Sequence, residues 1–124
     1  MSALAVSVGA ALGALLRWQL GLWMNGWHGH WPIGTVTANL LGGYLIGIAV
    51  GFFAANTQLA PEWRLLAVTG FLGGLTTFST FSAEAMGLLQ RGEYGWAFGH
   101  SALHLLGSIG ACMAGLASYR ALTH

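Results

Sequence analysis

Residues 70–84 read Gly-Phe-Leu-Gly-Gly-Leu-Thr-Thr-Phe-Ser-Thr-Phe-Ser-Ala-Glu. The stretch lies inside a long apolar run, yet it makes a poor lipid-facing helix. Gly70, Gly73 and Gly74 weaken helical structure, Thr76, Thr77, Ser79, Thr80 and Ser82 crowd hydroxyls into seven positions, and Glu84 closes it with a carboxylate. Inside a bilayer, irregular backbone persists only where protein or a water-filled cavity satisfies the freed N–H and C=O groups. Polar and charged residues at that depth face such a cavity or a partner helix. The sequence therefore predicts a broken membrane helix carrying the functional site.

The rest of the chain fits that setting. Only 6% of its 124 residues are charged and 56% are hydrophobic, with a mean hydropathy of +0.67. Soluble domains carry about 25% charged residues, so a solvated surface is excluded. At ~20 residues per crossing the length suits four spans in a single transmembrane domain, 1–124, at about 2–24, 33–55, 63–90 and 95–121, with no room for a soluble domain. The N-terminus lacks a basic region ahead of its apolar run, which predicts a retained first helix rather than a cleaved leader. The net charge of +1 forms no basic patch, which argues against nucleic acid. Among the side chains, no nucleophile–base pair or metal cluster appears at useful spacing, so the chain is not expected to be an enzyme. His28 and His30, two apart and without a nearby acid or thiol, read as loop residues. The single cysteine, Cys112, excludes a disulfide framework.

The other spans supply packing faces and a few polar groups. Gly9 and Gly13 in the first span, Gly43, Gly47 and Gly51 in the second, and Gly107, Ala111 and Gly115 in the fourth form small-residue stripes suited to close helix contact. Arg17, near the end of the first span, reads either as a snorkelling side chain or as the positive lining of an aqueous vestibule. Asn39 reads either as interhelical glue or as a pore residue whose amide offers two donors to an anion. His104 and Ser108 lie one turn apart, with Cys112 a turn further, giving the fourth helix a polar stripe.

Four spans place both termini on one side with Arg64 and Arg120, and leave Arg17 and Arg91 on the other. Membrane orientation follows the Lys/Arg difference between sides, and here it is nil. The tie predicts insertion both ways round, and an antiparallel homodimer is the simplest closed assembly of such copies. A helix break at Gly73–Thr76 in each copy would bring freed carbonyls to the dimer axis. A cage of that kind suits a monovalent cation such as sodium better than calcium, which prefers acidic ligands.

Past the break, Ser79 and Thr80 offer a ladder of donors, and Phe78 and Phe81 share a helix face. Aromatic edges are electropositive, so this face suits a small anion, although on the residues alone plain helix packing is the favoured account of the rings. Glu84 would repel an anion unless it is protonated, held by a hydroxyl such as that of Thr80, or set away from the narrowest part.

Gly-Ala-Leu-Leu-Arg at 13–17, Gly-Thr-Val-Thr-Ala-Asn-Leu-Leu-Gly-Gly at 34–43 and Gly-Gly-Leu-Thr-Thr-Phe-Ser-Thr-Phe-Ser at 73–82 together resemble the Fluc/CrcB family of fluoride channels. The resemblance runs in order across all four spans. It implies an all-α, dual-topology antiparallel homodimer in a bacterial inner membrane, passively exporting fluoride and protecting the cell from its toxicity. It implies a structural sodium ion at the dimer centre, held by the backbone carbonyls of Gly73 and Thr76. It further implies an ion pathway along Asn39, Phe78, Ser79, Thr80, Phe81, Glu84, His104 and Ser108, with Arg17 in the vestibule. Cys112 stands where a small hydroxyl residue is expected in some relatives. The competing reading, a small proton-coupled multidrug cation exporter of dual topology, requires a membrane-embedded acid in the first helix. The first span has none.

Overall fold

The computed structural model describes residues 1–123 and is all-helical. Helix α1 is Ser2–Met24 and α2 is Ile33–Ala55. Residues 61–75, here α3, begin as a turn at Pro61–Arg64, widen into a π-helical stretch at Leu65–Leu72 and tighten again at Gly73–Leu75. Helix α4 is Phe78–Gln90 and α5 is Tyr94–Leu122. Four helical stretches, with α3 and α4 counted as one, are long and apolar enough to cross a membrane. Pro61 occupies the first turn of α3, where its missing N–H costs nothing.

The helices pair in parallel, odd span with odd and even with even. Along α1, Gly9 lies against the backbone of Leu66 and Gly70, and Gly13 against Phe71 and Leu75. Along α2, Gly43 meets the carbonyl of Ser108 and Gly47 that of Cys112, while Gly115 of α5 meets Tyr44 in return. The small-residue stripes are thus consumed inside one protomer. They bring backbones together without a hydrophobic driving force, which lipid cannot supply. Ala38, Leu72 and Leu75 form the buried centre where α2 and α3 cross.

The third span is interrupted at Thr76 and Thr77, whose ψ angles of 157° and 125° are extended. Helical backbone persists through Gly73–Leu75, so the interruption falls at the far edge of the expected Gly73–Thr76 window. Helix α4 has 13 residues and reaches about 20 Å. A hydrocarbon core is ~30 Å thick, so the interruption lies at membrane depth. The π-helical turn before it was not apparent in the sequence.

At the polar ends, the 25–32 loop is fastened to the turn before α5. His28 Nδ1 accepts from the backbone N–H groups of His30 and Trp31, at 3.0 and 3.1 Å. The His30 ring stacks on Trp96 at 4.0 Å and meets Glu93 Oε1 at 3.0 Å. Arg91 Nε donates to Glu93 Oε2 at 2.8 Å and holds that carboxyl below the usual carboxylate range. Neither loop histidine belongs to a metal-capable cluster among the described residues.

Gly47→Ala should destabilise the fold by about 1–3 kcal/mol, because its methyl would meet backbone of α5 that cannot give way. Gly110→Ala, with no neighbour within 4 Å, should not. Thermal unfolding of both variants in detergent measures the difference.

Candidate functional site

Breaking a helix inside a membrane strands backbone groups, and three helices contribute to meeting them here. Thr76 keeps its N–H and hydroxyl on its own helix, both donating to Leu72 O at 3.0 and 2.9 Å. Thr77 is held from α2. Its N–H donates to Asn39 Oδ1 at 2.8 Å, and its carbonyl accepts from Asn39 Nδ2 at 3.0 Å. The Asn39 amide therefore pairs with a residue of interrupted backbone as a strand neighbour would. Thr77 also caps α4, its Oγ1 accepting from Thr80 N at 3.1 Å. From α1, Arg17 Nε donates to Gly74 O at 3.1 Å, placing a cation at the negative end of the α3 dipole.

These bonds show where two of the displaced helical donors go. In an unbroken helix, Thr77 N–H would serve Gly73 O and Thr80 N–H would serve Thr76 O. The first is turned to Asn39 and the second to Thr77 Oγ1. Gly73 and Thr76 are thus two of the four carbonyls the break frees; those of Gly74 and Leu75 lose their helical donors as well, and Gly74 O is met by Arg17.

The expected ion-pathway residues gather on both sides of α4. On one side is a groove of about 400 Å³ whose lining includes Asn39, Gly73, Thr76, Phe78, His104 and Ser108. The Phe78 and Phe81 rings lie 5.5 Å apart. Phe81 packs on the imidazoles of His104 and His100, at 4.8 and 5.4 Å. Phe78 is 79% exposed, so packing within the protomer does not account for it. Ser79 is exposed, with Oγ 3.3 Å from Thr77 Oγ1. On the other side, Arg17, Asn25, Thr35 and Thr80 line a second pocket of about 290 Å³.

Two expectations about hydrogen bonding change. Both Asn39 amide hydrogens are already engaged, one by Thr77 O and one by His104 Nδ1 at 2.9 Å. Glu84 is held by a hydroxyl, but by that of Thr35 on α2, at 2.7 Å to Oε2, and not by Thr80. Thr35 and Thr80 both line the Arg17 pocket, and it is the Thr35 hydroxyl, from the neighbouring helix, that reaches Glu84.

Thr35 and His100 were missed in the sequence, although each stands one turn before a recognised residue: Asn39 for Thr35, His104 for His100. Extending each polar stripe by a turn would have found both. His100 is fully buried, and its Nε2 lies 3.3 Å from Glu84 Oε1 without hydrogen-bond alignment. One ligand-type atom from each of Glu84, His100 and His104 falls within 4.8 Å of the others.

Fold and site together define a small polytopic membrane protein whose third span is broken at depth and stitched by side chains of its neighbours. The family model described as "CrcB-like protein, Camphor Resistance (CrcB)" matches residues 4–116. The chain belongs to that family. It is 61% identical over 117 residues to the "Fluoride-specific ion channel FluC" of Tolumonas auensis, covering 94% of this chain and 92% of that one. It is 59% identical over 118 residues to the protein of the same name from Cupriavidus pinatubonensis, covering 95% and 94%. With that of Pseudomonas aeruginosa it shares 58% over 117 residues, covering 94% and 92%.

Asn39→Ala leaves the Thr77 N–H and C=O without their partner at membrane depth. A loss of about 2 kcal/mol or more is expected, read as a lowered unfolding midpoint of the purified protein.

Proposed function

We propose that this chain is a passive, fluoride-selective channel of a bacterial inner membrane, exporting cytoplasmic fluoride and so protecting the cell from it. The observation that carries this reading is near-complete coverage, at up to 61% identity, of relatives named as fluoride-specific channels. It is joined to a site that suits a small anion. Four apolar spans with a polar seam are the material of a channel, and a transporter of this kind is not an enzyme. The driving force is the membrane potential, about 2.3 kcal/mol per charge per 100 mV.

The pathway runs along the Phe78–Phe81 face of α4, past Asn39, Ser79, Thr80 and Glu84, to His104 and Ser108 on α5. Aromatic edges and N–H and O–H donors replace the hydration shell of the anion. Arg17 forms part of the vestibule on the Thr80 side, where its charge raises the local anion concentration. The Thr35 hydroxyl holds Glu84 Oε2, while Oε1 faces the His100 ring.

The working unit is an antiparallel homodimer. Gly73 and Phe78 are both exposed on the protomer beside the groove, and redirected carbonyls at membrane depth require cover. A second copy inserted the opposite way, as the even split of arginines favours, covers them. The Gly73 and Thr76 carbonyls of the two copies would hold a structural sodium ion. The fit is chemical: both are neutral oxygen donors relieved of their helical hydrogen bonds, which suits a hard monovalent cation. When bound, the ion supplies positive charge that ties the two broken helices together.

Liposomes holding the purified protein should release fluoride rapidly and chloride negligibly, and Phe81→Ile should abolish the release. Equal passage of both anions would mean a wider path. No efflux, together with pH-driven uptake of an organic cation, would replace the channel by an exporter. In a separate experiment, a single cysteine placed in the 56–60 loop on a Cys112→Ser background should react with an impermeant thiol reagent from both faces of the membrane in comparable amounts. Labelling from one face only would exclude dual topology.

A further inference from the structure

The cluster behind Phe81 contains more unspent hydrogen-bonding capacity than any other place among the described residues. Glu84 Oε1, both ring nitrogens of His100 and Nε2 of His104 are buried without partners. Two histidines and a carboxylate within 4.8 Å have the composition of a zinc site. The remaining nitrogen of His104 argues otherwise. A ligating histidine donates its second N–H to an acceptor, whereas His104 Nδ1 faces the NH2 group of Asn39 at 2.9 Å.

The orientation of that amide is not free. Asn39 Oδ1 must accept from Thr77 N–H, and Nδ2 donates one hydrogen to Thr77 O. An inverted amide would set two N–H groups against each other and two oxygens against each other. The second Nδ2 hydrogen therefore points at His104 Nδ1, which can only accept it. A neutral imidazole has one donor and one acceptor nitrogen, so its hydrogen resides on Nε2, turned into the cluster.

We propose that Asn39 is a positioning residue that locks His104 in the Nε2–H tautomer, so that the ring presents a fixed donor to the buried Glu84–His100–His104 cluster behind Phe81. This rests on the fluoride-channel reading for its purpose but not for its geometry. Thr77, Asn39 and His104 form one relay: the backbone at the helix break orients the amide, and the amide orients the imidazole. The sense of the hydrogen bond set at Thr77 is thereby passed through Asn39 to the cluster beside the proposed path. The lock also turns His104 away from metal, because a lone pair at Nε2 would need a hydrogen at Nδ1 aimed at another donor.

The test is 15N NMR of the labelled protein in lipid bilayers, with His104 assigned by comparison with His104→Phe. At neutral pH its Nε2 should carry the hydrogen and its Nδ1 should be bare but hydrogen-bonded. Asn39→Asp replaces the facing donor by an acceptor and should invert the pattern. An Nδ1–H ring in the native protein overturns the proposal, even where the Asp variant does not fold; so does an Asp variant whose tautomer is unchanged. In efflux, Asn39→Asp should slow fluoride by about tenfold, and the loss should shrink in a His104→Phe background, where no ring hydrogen remains to redirect. An equal loss in both backgrounds overturns the role; if His104→Phe alone abolishes efflux, the NMR pattern decides. Zinc block at micromolar concentration that vanishes in His104→Phe would likewise overturn it. Should the native protein pass no fluoride, the channel reading fails, while the tautomer still stands or falls on its spectrum.

Discussion

The pairing of one side-chain amide with one peptide unit, Asn39 with Thr77, is the constraint on which the site depends. A helix broken at membrane depth strands donors and acceptors that have no water to turn to, each at a cost of several kcal/mol. Asn is suited to this position because its amide matches a peptide group in both donor and acceptor. Satisfying Thr77 from α2 lets the chain stay extended for two residues. That swings α4 out of line with α3 and places Phe78 and Phe81 beside the fourth span. The same bond takes the helical donor away from Gly73. One asparagine thus connects the aromatic face, the redirected carbonyls and the orientation of His104.

Neighbouring contacts complete that arrangement. Arg17 is bound to the carboxyl end of α3 through Gly74 O, which is neither pure snorkelling nor an unattached vestibule charge. The guanidinium satisfies a carbonyl that the break would otherwise leave without its helical N–H, while the side chain still lines the pocket with Thr80. The tight glycine contacts of α1 with α3 and of α2 with α5 hold the donors within reach. In lipid, such backbone proximity rests on van der Waals contact rather than water exclusion.

Much of this was legible in the sequence for physical reasons. Four apolar stretches separated by short polar loops admit few architectures, and glycines followed by a hydroxyl run mark a break. Gly9, Gly13, Gly43 and Gly47 declare packing faces through their spacing alone. What spacing does not declare is which hydrogen bonds form. Whether Glu84 bonds Thr80, four residues away on its own helix, or Thr35 on another depends on how α2 and α4 cross. Whether the Asn39 amide is free depends on where the backbone of a different helix opens. His100 and Thr35 each extend a polar stripe by one turn, but only the fold shows that both meet Glu84. The π-helical turn at Leu65–Leu72 has no local composition that separates it from ordinary apolar helix.

The engagement of Asn39 also bears on how an anion could be recognised without strong positive charge. A fixed cation in a narrow apolar path would bind fluoride too tightly to release it, and conduction requires entry and exit to be comparably easy. Neutral N–H and O–H donors and aromatic edges provide weaker, directional attraction, provided they do not reorient to satisfy one another. A free amide or hydroxyl can rotate towards a neighbouring acceptor, whereas an imidazole whose other nitrogen is already accepting a hydrogen bond cannot turn its N–H away without losing that bond. Rigid donors of this kind cost no reorganisation as the ion arrives. The break in the third span therefore does more than release backbone oxygens: through Asn39, the disrupted peptide at Thr77 sets the hydrogen-bonding sense of a side chain on a different helix.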